Sequence, residues 1–225
     1  MANPIFVAVD TPALEAARAL VRAVAPHVGG VKLGLEFFCA NGPAGVADIA
    51  ALGLPVFLDL KLHDIPNTVA GAMRSLAGLA PAIITVHAGG GRAMLAAARA
   101  AASAATKVVA VTVLTSLDDD DLAATGVAGG AAAQVLRLAD VVRSAGLDGV
   151  VASPHETAAV RNAWPDATIV VPGVRPAGSD VGDQKRVMTP RDALAAGASV
   201  LVIGRPITGA DDPAAAAAAI ARGLA

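Results

Sequence analysis

Short apolar runs rich in β-branched residues recur along the chain, and each gives way to an alanine-rich stretch of helical character. The predicted strands are IFVAVD (5–10), GVKLGL (30–35), VFLDL (56–60), IITVHA (83–88), KVVAVTVL (107–114), GVVAS (149–153), TIVVPG (168–173) and VLVIG (200–204). A helix is predicted after every one of them. The runs are continuously hydrophobic rather than alternating, as strands covered on both faces should be. Helix punctuation is expected at Thr11-Pro12 and Thr189-Pro190, where a capping residue precedes proline at the first helical position.

Eight strand-helix alternations predict an α/β fold of the (β/α)8 TIM-barrel type, and 225 residues approach the length of about 250 usual for it. No linker interrupts the pattern, so a single domain over residues 1–225 is expected. The alternative, an open doubly wound sheet, calls for a glycine-rich dinucleotide turn after the first strand, and VAVDTPALE has none there.

A barrel gathers its chemistry at the carboxyl ends of its strands, and the polar residues fall there. Asp10 closes the first strand, Lys32 lies in the second, Asp59 and Lys61 end the third, and His87 ends the fourth. Thr115 follows the fifth, Arg175 the seventh and Arg205 the eighth. The stretch VFLDLKLHDIPNT (56–68) is the densest case, with Asp59, Lys61 and Asp64 inside six positions. Strand alternation puts Asp59 and Lys61 on one face, at the mouth of the barrel. A lysine among carboxylates is held as the ammonium, suited to stabilising charge and giving a proton, not to forming a Schiff base.

The loops after the seventh and eighth strands carry a second signal, PGVRPAGSDVGDQKRVMTP and VIGRPITGADDP. Barrels commonly bind phosphate between these two loops, and Arg205 after Gly204 suits that job. The longer loop is expected to close over a ligand and bring Gln184 inward. Other features are assigned no chemistry. The glycines of HAGGGRA could cradle an anion but read at least as well as a tight strand-to-helix turn, and DDDD (118–121) reads as a solvated helix start. The four histidines lack metal spacing, and a structural or hydrogen-bonding role is expected of His63.

Composition narrows the partner. Hydrophobic content is 55%, above the usual figure of about 45–50%, but much of the excess is helix-forming alanine. No run approaches the roughly 18 apolar residues of a membrane span, and no signal peptide is read at the amino terminus, so a cytoplasmic, membrane-free protein is expected. With 17 basic and 19 acidic residues and no basic cluster, nothing provides a footprint for nucleic acid. The single cysteine, Cys39 in EFFCAN, is expected to be a packed thiol. The partner is expected to be a small molecule.

Together these pieces resemble the orotidine 5′-phosphate decarboxylase family over nearly the whole chain. DLKLHDIPNT is similar to the family's Asp-Lys-Asp signature, and VAVD, VKLG, VTVLTS, PGVRP, GDQKRVMTP and VIGRP follow in the family's order. A D-x-K-x-x-D cluster alone is shared with related sugar-phosphate barrels, but the HDIPNT continuation and the GDQ loop separate them. The resemblance implies decarboxylation of orotidine 5′-monophosphate to UMP, the last step of de novo pyrimidine biosynthesis, without cofactor or metal. Lys61 would be the proton donor to C6 of the pyrimidine, Asp59 would sit against the departing carboxylate, and Lys32 and Asp10 would contact the ribose hydroxyls. Asp64 and Thr68 would reach into the neighbouring subunit's site, implying a homodimer with shared active sites. Thr115 would lie near the pyrimidine, Gln184 would link base and phosphate, and Arg175, Gly204 and Arg205 would serve the phosphate. Two other readings are a metal-dependent phosphosugar decarboxylase on the same barrel and a non-catalytic nucleotide-binding module.

Overall fold

The structure, a computed structural model, describes residues 3–176 and 188–224. Eight parallel strands close into a barrel in sequence order: β1 Ile5–Ala8, β2 Gly30–Leu33, β3 Val56–Leu62, β4 Ile83–His87, β5 Lys107–Val111, β6 Gly149–Val151, β7 Thr168–Pro172 and β8 Val200–Ile203. Around them run α1 Leu14–Val24, α2 Leu35–Ala50, α3 Pro66–Leu76, α4 Gly91–Ala101, α5 Asp119–Ala124, α6 Gly130–Ser144, α7 Thr157–Ala163, α8 Pro190–Ala195, α9 Arg205–Thr208 and α10 Pro213–Arg222. Each predicted strand is present, and the extra residues predicted at most carboxyl ends belong to the loops that form the mouth. No helix among the described residues is long and apolar enough to cross a membrane.

Alternation along the strands divides the core in two. Ile5, Val7 and Val9 of the first strand and its end pack outward with Val31, Leu33 and Leu58 beneath the helices. Phe6, Ala8, Phe57, Ile83, Val109, Val170, Val200 and Val202 fill the interior. Phe6 meets Phe57 edge-on, with ring centroids 6.4 Å apart, the offset geometry that aromatic quadrupoles favour. Continuing the same alternation toward the carboxyl ends brings Lys32, Asp59 and Thr85 to the inside of the barrel. An apolar floor therefore carries a charged layer.

Two helix starts test the punctuation. Thr189 caps α8 by accepting a hydrogen bond from the Asp192 N–H, with Pro190 in the first turn, as predicted. At Thr11-Pro12 the expectation fails: α1 begins at Leu14 behind Ala13, and Thr11 Oγ1 accepts from Ala13 N at 3.3 Å within the loop. The threonine's local bond serves a turn here, delaying the helix by two residues. The acidic run caps α5 through reciprocal Asp118 and Asp121 bonds. At the GGG turn, Gly91 has φ 76°, the left-handed region that favours glycine, while a Cβ on Gly90 would displace the flexible end of Met94. Cys39 is exposed, not packed; apolar sequence neighbours on a helix point elsewhere than the residue between them.

Candidate active site

Above the apolar floor opens a cavity of about 480 Å³ at the carboxyl ends of the strands, within the range of small-molecule sites. Asp10, Lys32, Asp59, Lys61, Thr115, Arg175, Gly204 and Arg205 all line it. One side carries a chain of alternating charges. Lys32 Nζ lies 2.9 Å from Asp10 Oδ1 and 3.8 Å from Asp59 Oδ2, and Lys61 Nζ lies 2.8 Å from the same Asp59 oxygen. The side chains of Lys32 and Asp59 are only 11% and 13% exposed, whereas Lys61 at 32% reaches toward the opening. Burying ions is costly unless they are paired; each of these has an opposite charge beside it.

The third strand does not deliver Asp59 and Lys61 by simple alternation. Leu58 pairs with Ile84 and Leu62 with Val86, so residues 59–61 stand opposite the single residue Thr85. The excess is absorbed as a bulge in which Lys61 adopts φ 51°, a left-handed backbone that costs a non-glycine residue on the order of 1 kcal/mol. Thr85, fully buried, spans the gap: its hydroxyl donates to Asp59 Oδ1 at 2.9 Å and accepts from Lys61 N at 2.9 Å.

The residues after β7 and β8 line the same cavity, with β8 paired to β1, the strand that leads to Asp10. Arg175 is buried, with its backbone N–H on Met188 O and Nη1 on Val174 O. Gly204 and Arg205 open the short helix α9 directly after the last strand. Arg175 and Arg205 thus line the same cavity as the Asp/Lys chain, together with the apolar residues Val111, Val113, Leu114 and Pro172.

A model of the "Orotidine 5'-phosphate decarboxylase / HUMPS family" matches residues 3–220. The chain belongs to this family. It is 63% identical over 220 residues to orotidine 5′-phosphate decarboxylase from Novosphingobium aromaticivorans, covering 98% of both chains. It is 57% identical to that of Thermobifida fusca, covering 100% of this chain and 97% of the other. Among solved structures, orotidine 5′-phosphate decarboxylase from Lactobacillus acidophilus superposes with a TM-score of 0.86 at 38% identity, over 99% of each chain.

Not every residue singled out from the sequence joins this decarboxylase-family cavity. Asp64 and Thr68 are exposed beyond β3, and Asp64 Oδ1 accepts from its neighbour Ile65 N. Within one chain, then, Lys61 is paired with Asp59 and not with Asp64. Gln184 lies outside the described residues. Thr85 was not singled out: in IITVHA it reads as one more β-branched strand residue, and only its inward register gives it a polar role. No group of three His, Cys, Asp or Glu side chains among the described residues is placed to hold a metal ion.

His63 and His87, after β3 and at the end of β4, stack on each other, with ring centroids 5.0 Å apart and planes 9° from parallel. His87 Nδ1 accepts from Gly89 N at 3.2 Å. Its pKa is lowered from 6.5, first by burial and then by the charges of His63 and Lys61. Because the unfolded chain then binds a proton that the folded chain resists, stability should fall as pH drops below the ordinary imidazole value of 6.5. His87→Asn, which keeps an acceptor for Gly89, should flatten that slope in urea titrations across the range. An unchanged slope would assign the acid sensitivity to other groups.

Proposed function

We propose that the chain removes CO2 from orotidine 5′-monophosphate to give UMP, using its own side chains and no cofactor, with Lys61 as the acid at C6. The observation that carries this reading is the Asp10–Lys32–Asp59–Lys61 chain at the mouth of a family barrel. When the C6–carboxylate bond breaks, its electron pair stays at C6 in a ring-plane orbital that the ring carbonyls delocalise poorly. An ammonium already fixed beside that carbon stabilises the charge as it develops, without reorganisation. It then gives its proton to C6, and the resulting amine is reprotonated from solvent. Asp59 positions that ammonium and stands where the departing carboxylate would be, while Lys32 and Asp10 are within reach of ribose hydroxyls.

The residues after β7 and β8 suit the phosphate. Arg205 and Arg175 supply cationic donors, α9 is the short extra helix that phosphate-binding barrels place after their last strands, and Thr115 stands beside the base. Binding energy gathered there, far from C6, can appear in the rate if it helps to enclose the reacting ring. The chain acts as a homodimer, with Asp64 and Thr68 completing the partner's site; their exposure next to Ile65, itself 66% exposed, supports a covering subunit. The single domain and a cytoplasmic location belong to the same reading.

The test is turnover by the purified protein, following loss of orotidine 5′-monophosphate by ultraviolet absorbance and identifying UMP by mass; binding of UMP without turnover would overturn it. Arg205→Ala should raise KM and lower kcat/KM by about 10- to 100-fold, the worth of a charge-assisted contact to a dianion. Orotidine lacking the phosphate should be almost indifferent to the change. Equal harm to both substrates would show that Arg205 does not act through phosphate.

A further inference from the structure

We propose that Thr85 is a positioning residue for the proton donor, a role that rests on the decarboxylase reading above. Three residues of β3 face it alone, so the β4 backbone has no register left to pair with Lys61. The Lys61 N–H, in the middle of a bulge, finds its acceptor in the Thr85 side chain at 2.9 Å. The same hydroxyl has one proton to give, and Asp59 Oδ1 takes it at 2.9 Å. The one proton and an acceptor site of a fully buried hydroxyl are thereby committed to the two residues that bear the chemistry.

The consequence is geometric. Asp59 has two oxygens: Thr85 holds Oδ1, leaving Oδ2 for the Lys61 ammonium at 2.8 Å and for Lys32 at 3.8 Å. The carboxylate plane is set from behind by a neutral donor, so the oxygen facing the cavity is the one that orients the acid. At the other end of the bond, Thr85 fixes the backbone of Lys61 in its left-handed conformation (φ 51°), and with it the direction from which Nζ enters the site. The backbone and the side-chain partner of the proton donor are tied to one hydroxyl. A placement error of an ångström at a reacting centre is expensive, and this tie opposes it from two sides.

Valine is the isostere that removes the hydroxyl alone. Thr85→Val should lower kcat by about 10- to 100-fold, the effect of stranding a buried N–H and releasing one carboxylate oxygen. UMP affinity should stay within about threefold, because the phosphate contacts are elsewhere. Thr85→Ser keeps the hydroxyl and should retain most of the turnover. Thr85→Ala shares serine's missing methyl and differs from it by the hydroxyl, so the Ser/Ala pair decides the matter even if the valine variant does not fold.

Turnover, UMP affinity and thermal midpoint are to be measured together on wild type and variants. Loss of kcat in Val and Ala with retained UMP binding, and recovery in Ser, is the expected result. Equal turnover in Ser and Ala, a valine variant as active as wild type, or parallel losses of kcat and UMP affinity would each overturn the role of Thr85. A wild-type protein without turnover would instead remove the decarboxylase reading on which the role depends.

Discussion

Lys61→Ala is expected to abolish decarboxylation, by at least about 10⁴-fold, while the protein still folds and binds UMP. In the proposed mechanism two contributions vanish together: a fixed positive charge next to C6, and the proton that ends the reaction, each worth on the order of 10²-fold or more. Folding should survive because the Lys61 side chain is partly exposed and Asp59 keeps Lys32 and Thr85 as partners. Alanine also meets the left-handed backbone at position 61 (φ 51°) at no greater steric cost than lysine. UMP affinity should change little, since the proposed phosphate contacts, Arg175 and Arg205, are left intact. Thermal melting, UMP titration and turnover on the same preparation check all three statements. Near-normal turnover would remove Lys61 from the chemistry and with it the role of the charge chain.

The second large effect concerns assembly. A Lys61→Ala chain and an Asp64→Ala/Thr68→Ala chain should each be substantially impaired alone, yet regain activity on mixing. If Asp64 and Thr68 serve the opposite site, a heterodimer contains one site with Lys61 from the double mutant and Asp64 with Thr68 from the single mutant. That site is wild type throughout, and the other carries every defect. Random exchange of equal amounts should therefore restore roughly a quarter of wild-type turnover, one good site in each heterodimer. Heterodimer formation is confirmed by native mass spectrometry. Confirmed heterodimers without recovery would mean that Asp64 and Thr68 act within their own chain's site, although neither lines the cavity of the single chain.

Much of this was legible in the sequence for a simple physical reason. Strands buried on both faces leave unbroken β-branched runs, and a barrel places their polar carboxyl ends in one ring, so IFVAVD, VFLDL and VLVIG gave both the fold and the addresses of Asp10, Asp59 and Arg205. What escaped depends on register and on local competition. Strand alternation put Asp59 and Lys61 side by side, but the bulge that sets their geometry arises from pairing with β4, and no pattern within VFLDLKL announces it. Thr85 is hidden by the same cause: threonine is an ordinary strand residue until the register turns it inward beneath two charged groups. Thr11-Pro12 carried a valid capping pattern that a turn used instead. Cys39 shows the limit of neighbour chemistry, since a helix exposes every third or fourth residue whatever flanks it. Asp64 lies three residues from Lys61 in sequence, yet its carboxylate accepts from Ile65 N, and Lys61 pairs with Asp59 instead.

The central claim is that side-chain electrostatics alone carry the reaction, with Lys61 as the acid. It is tested most directly by following orotidine 5′-monophosphate loss by wild-type protein stripped with EDTA and assayed in its presence, beside an untreated control. The expected result is equal turnover in the two samples, with UMP as the product. Turnover that disappears in chelator and returns on adding a divalent cation would contradict the account and favour a metal-dependent sugar-phosphate enzyme on the same barrel.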